Sequence, residues 1–554
     1  MEYDLKITNG LIVDGTGTEG TIGDIAVKDG KVVAMGKVDG DAHQEVDATG
    51  KVVSPGFVDI HTHYDAQVLW DRGLTISPQH GVTSVVIGNC GFGVAPTKPN
   101  HRDMMKRTLE KVEGMSFDAL TIGLGADWPF ESFPEYMDVI EKGGVEVNVA
   151  VLAGHTPIRT FVMGDDAVKR EALAPEIEQM ADIVEEAMDV GAIGFSTSHA
   201  GTHHGYGGNP VPSRLASIDE IDTLVGAMKK SGRGIMQATI GRSLFHDQFA
   251  DLAEKHDVPV TWTALLAGLS GPGSHRGHLE KTAAQVAKGL QIVPQVSCRP
   301  LLFDFEFNEP FPFEMHPIFQ KTMQTDREGR KKIYADPAFR AEFKAAMAEG
   351  ERTPLAGWAT RAEISFCPLD HDLDGQQLAD VAAAQNIHPV DLALDWSLET
   401  DFKVRFRFAM FNRDEEEVAE LLQDPNVVIG LSDAGAHASQ LCDACFSTHL
   451  LGHVVRERGD LTLERAIHML TQRPAELFGL TDRGLLAEGR PADIVVFDPK
   501  TVGASKLRRV HDLPAGADRL VSDASGIEQV IVNGAILGAD GTNRPGHLLR
   551  GGHA

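Results

Sequence analysis

The sequence predicts an α/β fold: a (β/α)8 TIM-like barrel with a small β-sandwich built from both chain termini. A pattern of strand followed by helix repeats along the middle of the chain, whereas both ends carry short strands and tight turns. The length of 554 residues exceeds that of one ordinary domain and fits a large barrel with an added module.

The barrel is predicted from near-continuous apolar runs, which are typical of parallel strands covered on both faces. Amphipathic stretches at 175–190, 218–231 and 246–257 lie between several of these runs and predict helices. The barrel should span 56–479. The eight candidate strands are 56–63, 82–87, 147–152, 192–197, 234–239, 259–263, 292–297 and 427–432.

The terminal segments 1–55 and 480–554 predict one shared β-sandwich. Asn9-Gly10 and Asp29-Gly30 are pairs that supply the positive φ of tight hairpin turns. Strand patterns recur at 492–497 and 529–534, close to the other end of the chain. We therefore expect the two ends to pair.

An inserted subdomain is predicted at about 300–425, between the seventh and eighth strands. This gap is too long for one helix, is rich in aromatic and acidic residues at 303–313, and has helical patterns near 336–349 and 376–384. Long insertions of this kind often cover an active site, so we expect it to cover the barrel mouth.

The charge balance excludes two classes of partner. Asp and Glu number 80 against 51 Lys and Arg, so the net charge is -29, which repels nucleic acid and anionic membranes. No leader-like or membrane-spanning run is present, and five cysteines, an odd number, fit a reducing compartment. We expect a cytoplasmic protein with a small-molecule substrate; a homo-oligomer is left open.

A pair of histidines closes the first predicted strand. His61 and His63 are two residues apart, so in an extended strand their side chains point to the same face. Two histidines at this spacing can arise by chance among 23. The turn at Ser54-Pro55-Gly56 and the apolar strand that follows it favour a metal site instead.

Residues able to bind metal or act as acids and bases recur after the other strands. Active-site groups of such barrels lie at the carboxyl ends of the strands, so these residues should meet at one face. They are Cys90 after the second strand, His155 and Arg159 after the third, His199, His203 and His204 after the fourth, Arg242 after the fifth, Arg299 after the seventh, and Asp433 after the eighth.

Several motifs resemble a known family. The run 56–63, which carries the histidine pair, and Ser432-Asp433 resemble the amidohydrolase superfamily. The segments 86–91 and 154–156 are similar to its N-acyl-D-amino-acid deacylase (D-aminoacylase) branch, and the likeness covers nearly the whole chain. The resemblance implies a zinc ion held by His61, His63, Cys90 and Asp433, with Asp433 also moving the proton.

The chain departs from the family at two strands. The resemblance implies a histidine at the ends of the fifth and sixth strands, yet the chain has Gln-Ala-Thr at 237–239 and Thr-Trp-Thr at 261–263. The fourth strand has no lysine to bridge two metals. We therefore expect one zinc ion, and a second ion only if His203 or His204 replaces a missing ligand.

An amino-acid substrate would bring a carboxylate that the protein must recognise. Arg159, Arg242 and Arg299 follow strand ends, Arg214 lies further along the same face, and guanidinium groups bind carboxylates bidentately. Arg299 is the first choice because it follows the seventh strand directly, and surface salt bridges are the alternative for the others. His155 and His203 are further candidates for contact with substrate, against a structural role for His155 and a solvated loop position for His203.

Three functions are compatible with the sequence. The first is hydrolysis of N-acyl-D-amino acids by a zinc-activated water, and the second is hydrolysis of another amide, a cyclic amide or a carbamate. The third is a metal-binding scaffold without activity. Retention of Asp433 beside the histidine pair disfavours the third, because an inactive site needs no proton carrier.

Overall fold

A parallel barrel sheet forms the centre of the computed structural model, which describes residues 2–314, 316–351, 353–538 and 543–554. Within these residues one eight-stranded sheet runs in chain order from the first barrel strand to the eighth. The strands are Phe57–Asp59, Val82–Ile87, Asn148–Gly154, Gly194–Ser198, Ile235–Thr239, Val260–Thr263, Ile292–Val296 and Val428–Ile429. The predicted (β/α)8 architecture is confirmed.

The first and eighth strands meet just beyond their carboxyl ends. The backbone N–H of Asp433 donates to the carbonyl of His61 at 3.1 Å, and that of His63 donates to Ala434 at 2.7 Å. The first strand ends at Asp59, earlier than the predicted run to residue 63. Both histidines thus lie past the strand end, in the segment that closes the barrel.

Helices cover the outside of the barrel. In Ala174–Asp189, for example, Met180, Val184, Ala187 and Met188 are buried, and this spacing of three to four residues places one apolar stripe against the sheet. The barrel helices are Arg102–Glu113, Phe117–Leu124, Phe133–Gly143, His155–Met163, Ala174–Asp189, Ile218–Lys230, His246–His256, Ser274–Val286, Glu415–Gln423, Phe446–His449 extended by Leu450–Arg458, Leu463–Leu470 and Gln472–Leu477.

The two ends of the chain build one β module, as predicted. Val52–Pro55 pairs in parallel with Tyr3–Ile12 and antiparallel with Ile494–Phe497, which joins the two termini in a single sheet. The other strands of this sheet are Thr21–Lys28, Lys31–Gly36, Ala42–Asp47, Ile527–Val532 and Ala535–Ile536. Two small hairpin sheets accompany it, Gly503–Ala504 with Ala524–Ser525 and Arg508–Val510 with Arg519–Val521.

The segment between the seventh and eighth barrel strands has its own aromatic core. A three-stranded antiparallel sheet of Leu301–Phe305, Glu363–Phe366 and Arg405–Phe411 packs with helices around buried side chains that include Phe307 and Trp358. The helices are Gln320–Met323, Arg327–Ala335, Pro337–Ala346, Trp358–Arg361, Leu378–Ala384 and Pro389–Glu399.

This segment lies against the loop that follows the eighth strand. The Phe311 ring is 5.7 Å from that of His437, and the Asp304 N–H donates to the carbonyl of Gln440 at 2.7 Å. The inserted segment therefore contacts the loop that also carries Asp433. In the part of the chain that the structure describes, no helix combines the length and apolar character needed to cross a membrane.

Candidate metal centre

Three side chains converge at the carboxyl end of the barrel. One nitrogen from each of His61 and His63 and the sulfur of Cys90 all lie within 4.8 Å of one another. His61 Nε2 is 3.3 Å from Cys90 Sγ, and all three residues are buried. We call these residues the ligand triad; two imidazoles and a thiolate are donors that suit zinc.

Asp433 adds a carboxylate beside the triad. Its Oδ1 is 3.2 Å from His61 Nε2 and 3.8 Å from His63 Nε2. The Asp433 side chain keeps 21% of its surface exposed, whereas that of His61 keeps 1%. A carboxylate that borders both the triad and solvent is placed to exchange protons.

The loop that carries Cys90 is fixed by its neighbours. Cys90 itself has φ +56°, in the left-handed region, and its N–H donates to Gln237 Oε1 at 2.7 Å. Gly88, two residues earlier, has φ +86°, and a Cβ there would lie 2.3 Å from the carbonyl oxygen of Leu152. Only glycine fits so close to Leu152, so this turn fixes the Cys90 thiol at the carboxyl end of the second strand.

The imidazoles and the thiol of the triad shift each other's pKa. Burial alone raises the pKa of the Cys90 thiol, but His61 and His63 outweigh burial and bring its pKa down to about 6. Burial lowers the pKa of His63, and the Glu113 carboxylate and Cys90 reverse this and raise it well above its ordinary value. The cysteine is therefore a thiolate at neutral pH, which is the form that binds metal.

Two predicted substrate-binding residues lie in a buried network apart from the triad. His155 Nε2 is 2.8 Å from Glu220 Oε1, and Arg159 forms an ion pair with the same carboxylate. His155 Nδ1 is 2.8 Å from the hydroxyl oxygen of Thr197. Neither His155 nor Arg159 reaches solvent, so the structure gives both of them internal partners.

Arg299 is also held internally. Its Nε lies 2.9 Å from Asp443 Oδ1, its Nη1 contacts Cys445 Sγ, and the residue is 6% exposed. A buried guanidinium needs such a partner, because an unpaired buried charge is costly. The structure thus directs the Arg299 guanidinium toward Asp443 in the interior.

His203 lies closer to the triad but outside it. Its ring is 5.1 Å from that of Phe92, which is in turn 6.2 Å from His63, and its Nδ1 is 2.7 Å from the Ser198 hydroxyl oxygen. Burial and the neighbouring His437 and His63 lower the pKa of His203 to about 3. It is a neutral imidazole at the edge of the site.

Three residues that the sequence did not point to contact the triad. Gln237 and Gln295 lie inside barrel strands, and Glu113 ends a helix. A glutamine within an otherwise apolar buried strand is a signal for the first two, because a buried amide needs polar partners. Glu113 has no comparable signal. Arg214, a candidate from the sequence, lies in the turn Pro212–Leu215.

Sequence comparison relates the chain to one family of hydrolases. The model of the amidohydrolase family matches residues 44–537. A D-aminoacylase of Alcaligenes xylosoxydans xylosoxydans is 29% identical, over 96% of this chain and 94% of that protein.

Two solved structures have the same overall shape. The N-acyl-D-glutamate deacylase of Bordetella bronchiseptica, complexed with zinc and a phosphonate inhibitor that mimics the tetrahedral intermediate, has a TM-score of 0.67 at 26% identity and covers 99% of this chain and 100% of its own. A D-aminoacylase studied for its binuclear metal centre, with one-metal activation and second-metal attenuation, has a TM-score of 0.67 at 25% identity and covers 99% of both chains.

Proposed function

Because the chain belongs to the amidohydrolase family and is a metal-dependent hydrolase of non-peptide C–N bonds, we propose that it deacylates N-acyl-D-amino acids with one zinc ion. The observation that carries the proposal is the convergence of His61, His63 and Cys90 beside the carboxylate of Asp433. The similarity to D-aminoacylase and to N-acyl-D-glutamate deacylase supports this substrate class.

Zinc bound by the triad would polarise the amide carbonyl and lower the pKa of water. The chain's own contribution to proton transfer is Asp433, whose Oδ1 would accept the proton of the attacking water and return it to the leaving nitrogen. The backbone N–H of Asp433 and the Ser432 hydroxyl both donate to the carbonyl of His61, the latter at 2.9 Å. These bonds fix the carboxylate relative to the first strand.

One ion is favoured by the side chains at the fifth and sixth strands. Gln237 uses its Oε1 on the backbone of Cys90, and the Thr261 hydroxyl donates to the carbonyl of Val293 at 2.9 Å. The Gln237 amide oxygen and the Thr261 hydroxyl therefore form hydrogen bonds within the protein. A second ion would have to rely on donors outside the triad, such as the Asp433 carboxylate and the neutral His203.

The substrate screen that tests this function compares N-acyl-D-amino acids with their L enantiomers, using zinc-loaded protein. We expect turnover of the D series and little of the L series. Turnover confined to cyclic amides or carbamates would contradict the deacylase assignment and retain the hydrolase class.

Arg214 is one arginine that could bind a substrate carboxylate. Its Nη1 donates to the carbonyl of His203 at 2.9 Å, and no carboxylate in the described part of the chain forms an ion pair with it. It is half-buried beside the loop that carries His203. Arg159 and Arg299, by contrast, already have carboxylate partners.

Arg214→Met is therefore expected to raise KM for an N-acyl-amino acid by ~10-fold or more, because a hydrogen bond to a charged group contributes about 1.5–3 kcal/mol. KM for the methyl ester of the same compound should change little. Arg465→Met, at a half-buried arginine in the helix Leu463–Leu470, is the matched control. Equal losses for acid and ester would show that Arg214 has a structural role.

A further inference from the structure

Each imidazole of the ligand triad has a polar side chain at its second nitrogen, through a hydrogen bond at His61 and an ion-pair contact at His63. We propose that Gln295 and Glu113 are positioning residues that direct Nε2 of His61 and of His63 toward the metal. This inference rests on the proposed metal site and concerns side chains that do not themselves contact the ion.

Gln295 holds His61 from the seventh barrel strand. Its Oε1 is 2.6 Å from His61 Nδ1, and the glutamine is completely buried among apolar neighbours in Ile292–Val296. The other end of the amide, Nε2, donates to Thr261 Oγ1 at 3.3 Å. The Thr261 hydroxyl donates in turn to the carbonyl oxygen of Val293 at 2.9 Å.

This chain of hydrogen bonds fixes the tautomer of His61. A backbone carbonyl can only accept, so the Thr261 hydroxyl must direct its hydrogen toward Val293 and accept from the Gln295 amide nitrogen. The amide oxygen then faces His61, and Nδ1 must carry the proton of the neutral ring. Nε2 is left with its lone pair, facing Cys90 Sγ at 3.3 Å.

Glu113 forms a close ion-pair contact with His63 from the end of a helix. Its Oε1 is 3.2 Å from His63 Nδ1, and the residue is buried at the end of the helix Arg102–Glu113. Its backbone carbonyl accepts from the N–H of Ala438 at 3.2 Å, on the loop that carries Asp433. Glu113 therefore connects one ligand histidine to the loop with the proton carrier.

The two partners differ in chemistry: Gln295 offers an amide oxygen to His61, and Glu113 offers a carboxylate to His63. Ligand histidines commonly donate their second N–H to a carboxylate or carbonyl, which fixes the ring and raises its basicity as a ligand. A carboxylate does so more strongly than an amide. We expect His63 to be the more basic ligand and His61 to be the more tightly oriented one.

The variants Gln295→Leu and Gln295→Glu separate positioning from packing. Leucine keeps the volume and removes the acceptor, so zinc affinity should fall by ~10- to 100-fold, the usual cost of losing such a partner. Glutamate restores an acceptor for Nδ1–H and should recover most of the affinity. Zinc Kd is measured by competition with a chromophoric chelator, and the absorption spectrum of the Co²⁺-loaded protein reports ligand geometry.

Gln285→Leu is the matched control, because Gln285 is another buried glutamine and its amide donates to the carbonyl of His246 away from the triad. Its zinc Kd and Co²⁺ spectrum should equal those of the wild type. Glu113→Gln should weaken zinc binding and shift the Co²⁺ spectrum, whereas Glu110→Gln on the same helix should do neither.

The outcomes separate this inference from the proposed function. If the wild type binds zinc and Gln295→Leu binds it equally well, the positioning role is wrong and the metal site stands. Loss of affinity in Gln295→Leu that Gln295→Glu does not restore, accompanied by a lower Tm of the metal-free protein, would mark Gln295 as structural. A wild type that binds no zinc would overturn both proposals.

Discussion

Asp433→Asn is expected to reduce kcat by at least ~10²-fold while the fold and most of the bound zinc are retained. An asparagine amide has nearly the same shape as the carboxylate but cannot accept a proton from water. The Asp433 carboxylate lies 3.2 Å from His61 Nε2 and is partly exposed, so it can exchange protons with solvent more readily than the buried residues of the ligand triad.

The measurement is steady-state turnover of the best N-acyl-amino acid, together with zinc content and Tm. Asp118→Asn, at an exposed position in the first turn of Phe117–Leu124, controls for the loss of one surface charge and should leave kcat unchanged. Turnover of Asp433→Asn near the wild-type rate would show that the proton passes through a different group.

Removal of the metal should abolish turnover. When zinc is returned at a low concentration, the wild type should regain turnover and Cys90→Ser should not. The imidazoles hold the pKa of Cys90 at about 6, so its sulfur is a thiolate at neutral pH, whereas a serine hydroxyl stays protonated. Loss of a direct ligand should exceed the ~10- to 100-fold loss in zinc affinity typical of an outer partner.

Cys367→Ser is the matched control for this variant. Cys367 is also buried but lies in the aromatic core of the inserted segment, away from the triad. Activity is measured after chelator treatment and again after zinc is returned at fixed free concentrations. Recovery of Cys90→Ser at the same free zinc as the wild type would exclude Cys90 as a ligand.

The barrel and the convergence of the ligand triad could both be predicted from the sequence. Apolar runs predict parallel strands, and the carboxyl ends of such strands meet at one face, so residues as distant in sequence as His61, Cys90 and Asp433 were expected together. The pairing of the termini followed from matching turn and strand patterns at both ends.

The partners of individual charges could not be predicted from the sequence. Arg299 follows the seventh strand as expected, yet Asp443, 144 positions later, neutralises it in the interior. Arg159 is likewise paired with Glu220 from the helix Ile218–Lys230. Strand periodicity fixes which face a residue occupies, but which carboxylate reaches an arginine depends on packing between distant elements.

The supporting residues were missed for a related reason. Gln295 and Glu113 act through the second nitrogen of each histidine, and no spacing rule links a strand or helix position to that atom. Their role is visible only when both donor and acceptor are placed in space.

The zinc requirement is the central claim, and a titration of metal-free protein tests it most directly. Protein dialysed against metal-free buffer is titrated with zinc while hydrolysis of an N-acyl-D-amino acid and bound metal are followed together. We expect no turnover without zinc and a plateau at about one equivalent per chain, because the ligand triad with Asp433 supplies donors for one ion. Full turnover by the metal-free protein, or the need for a second tightly bound equivalent, would contradict it.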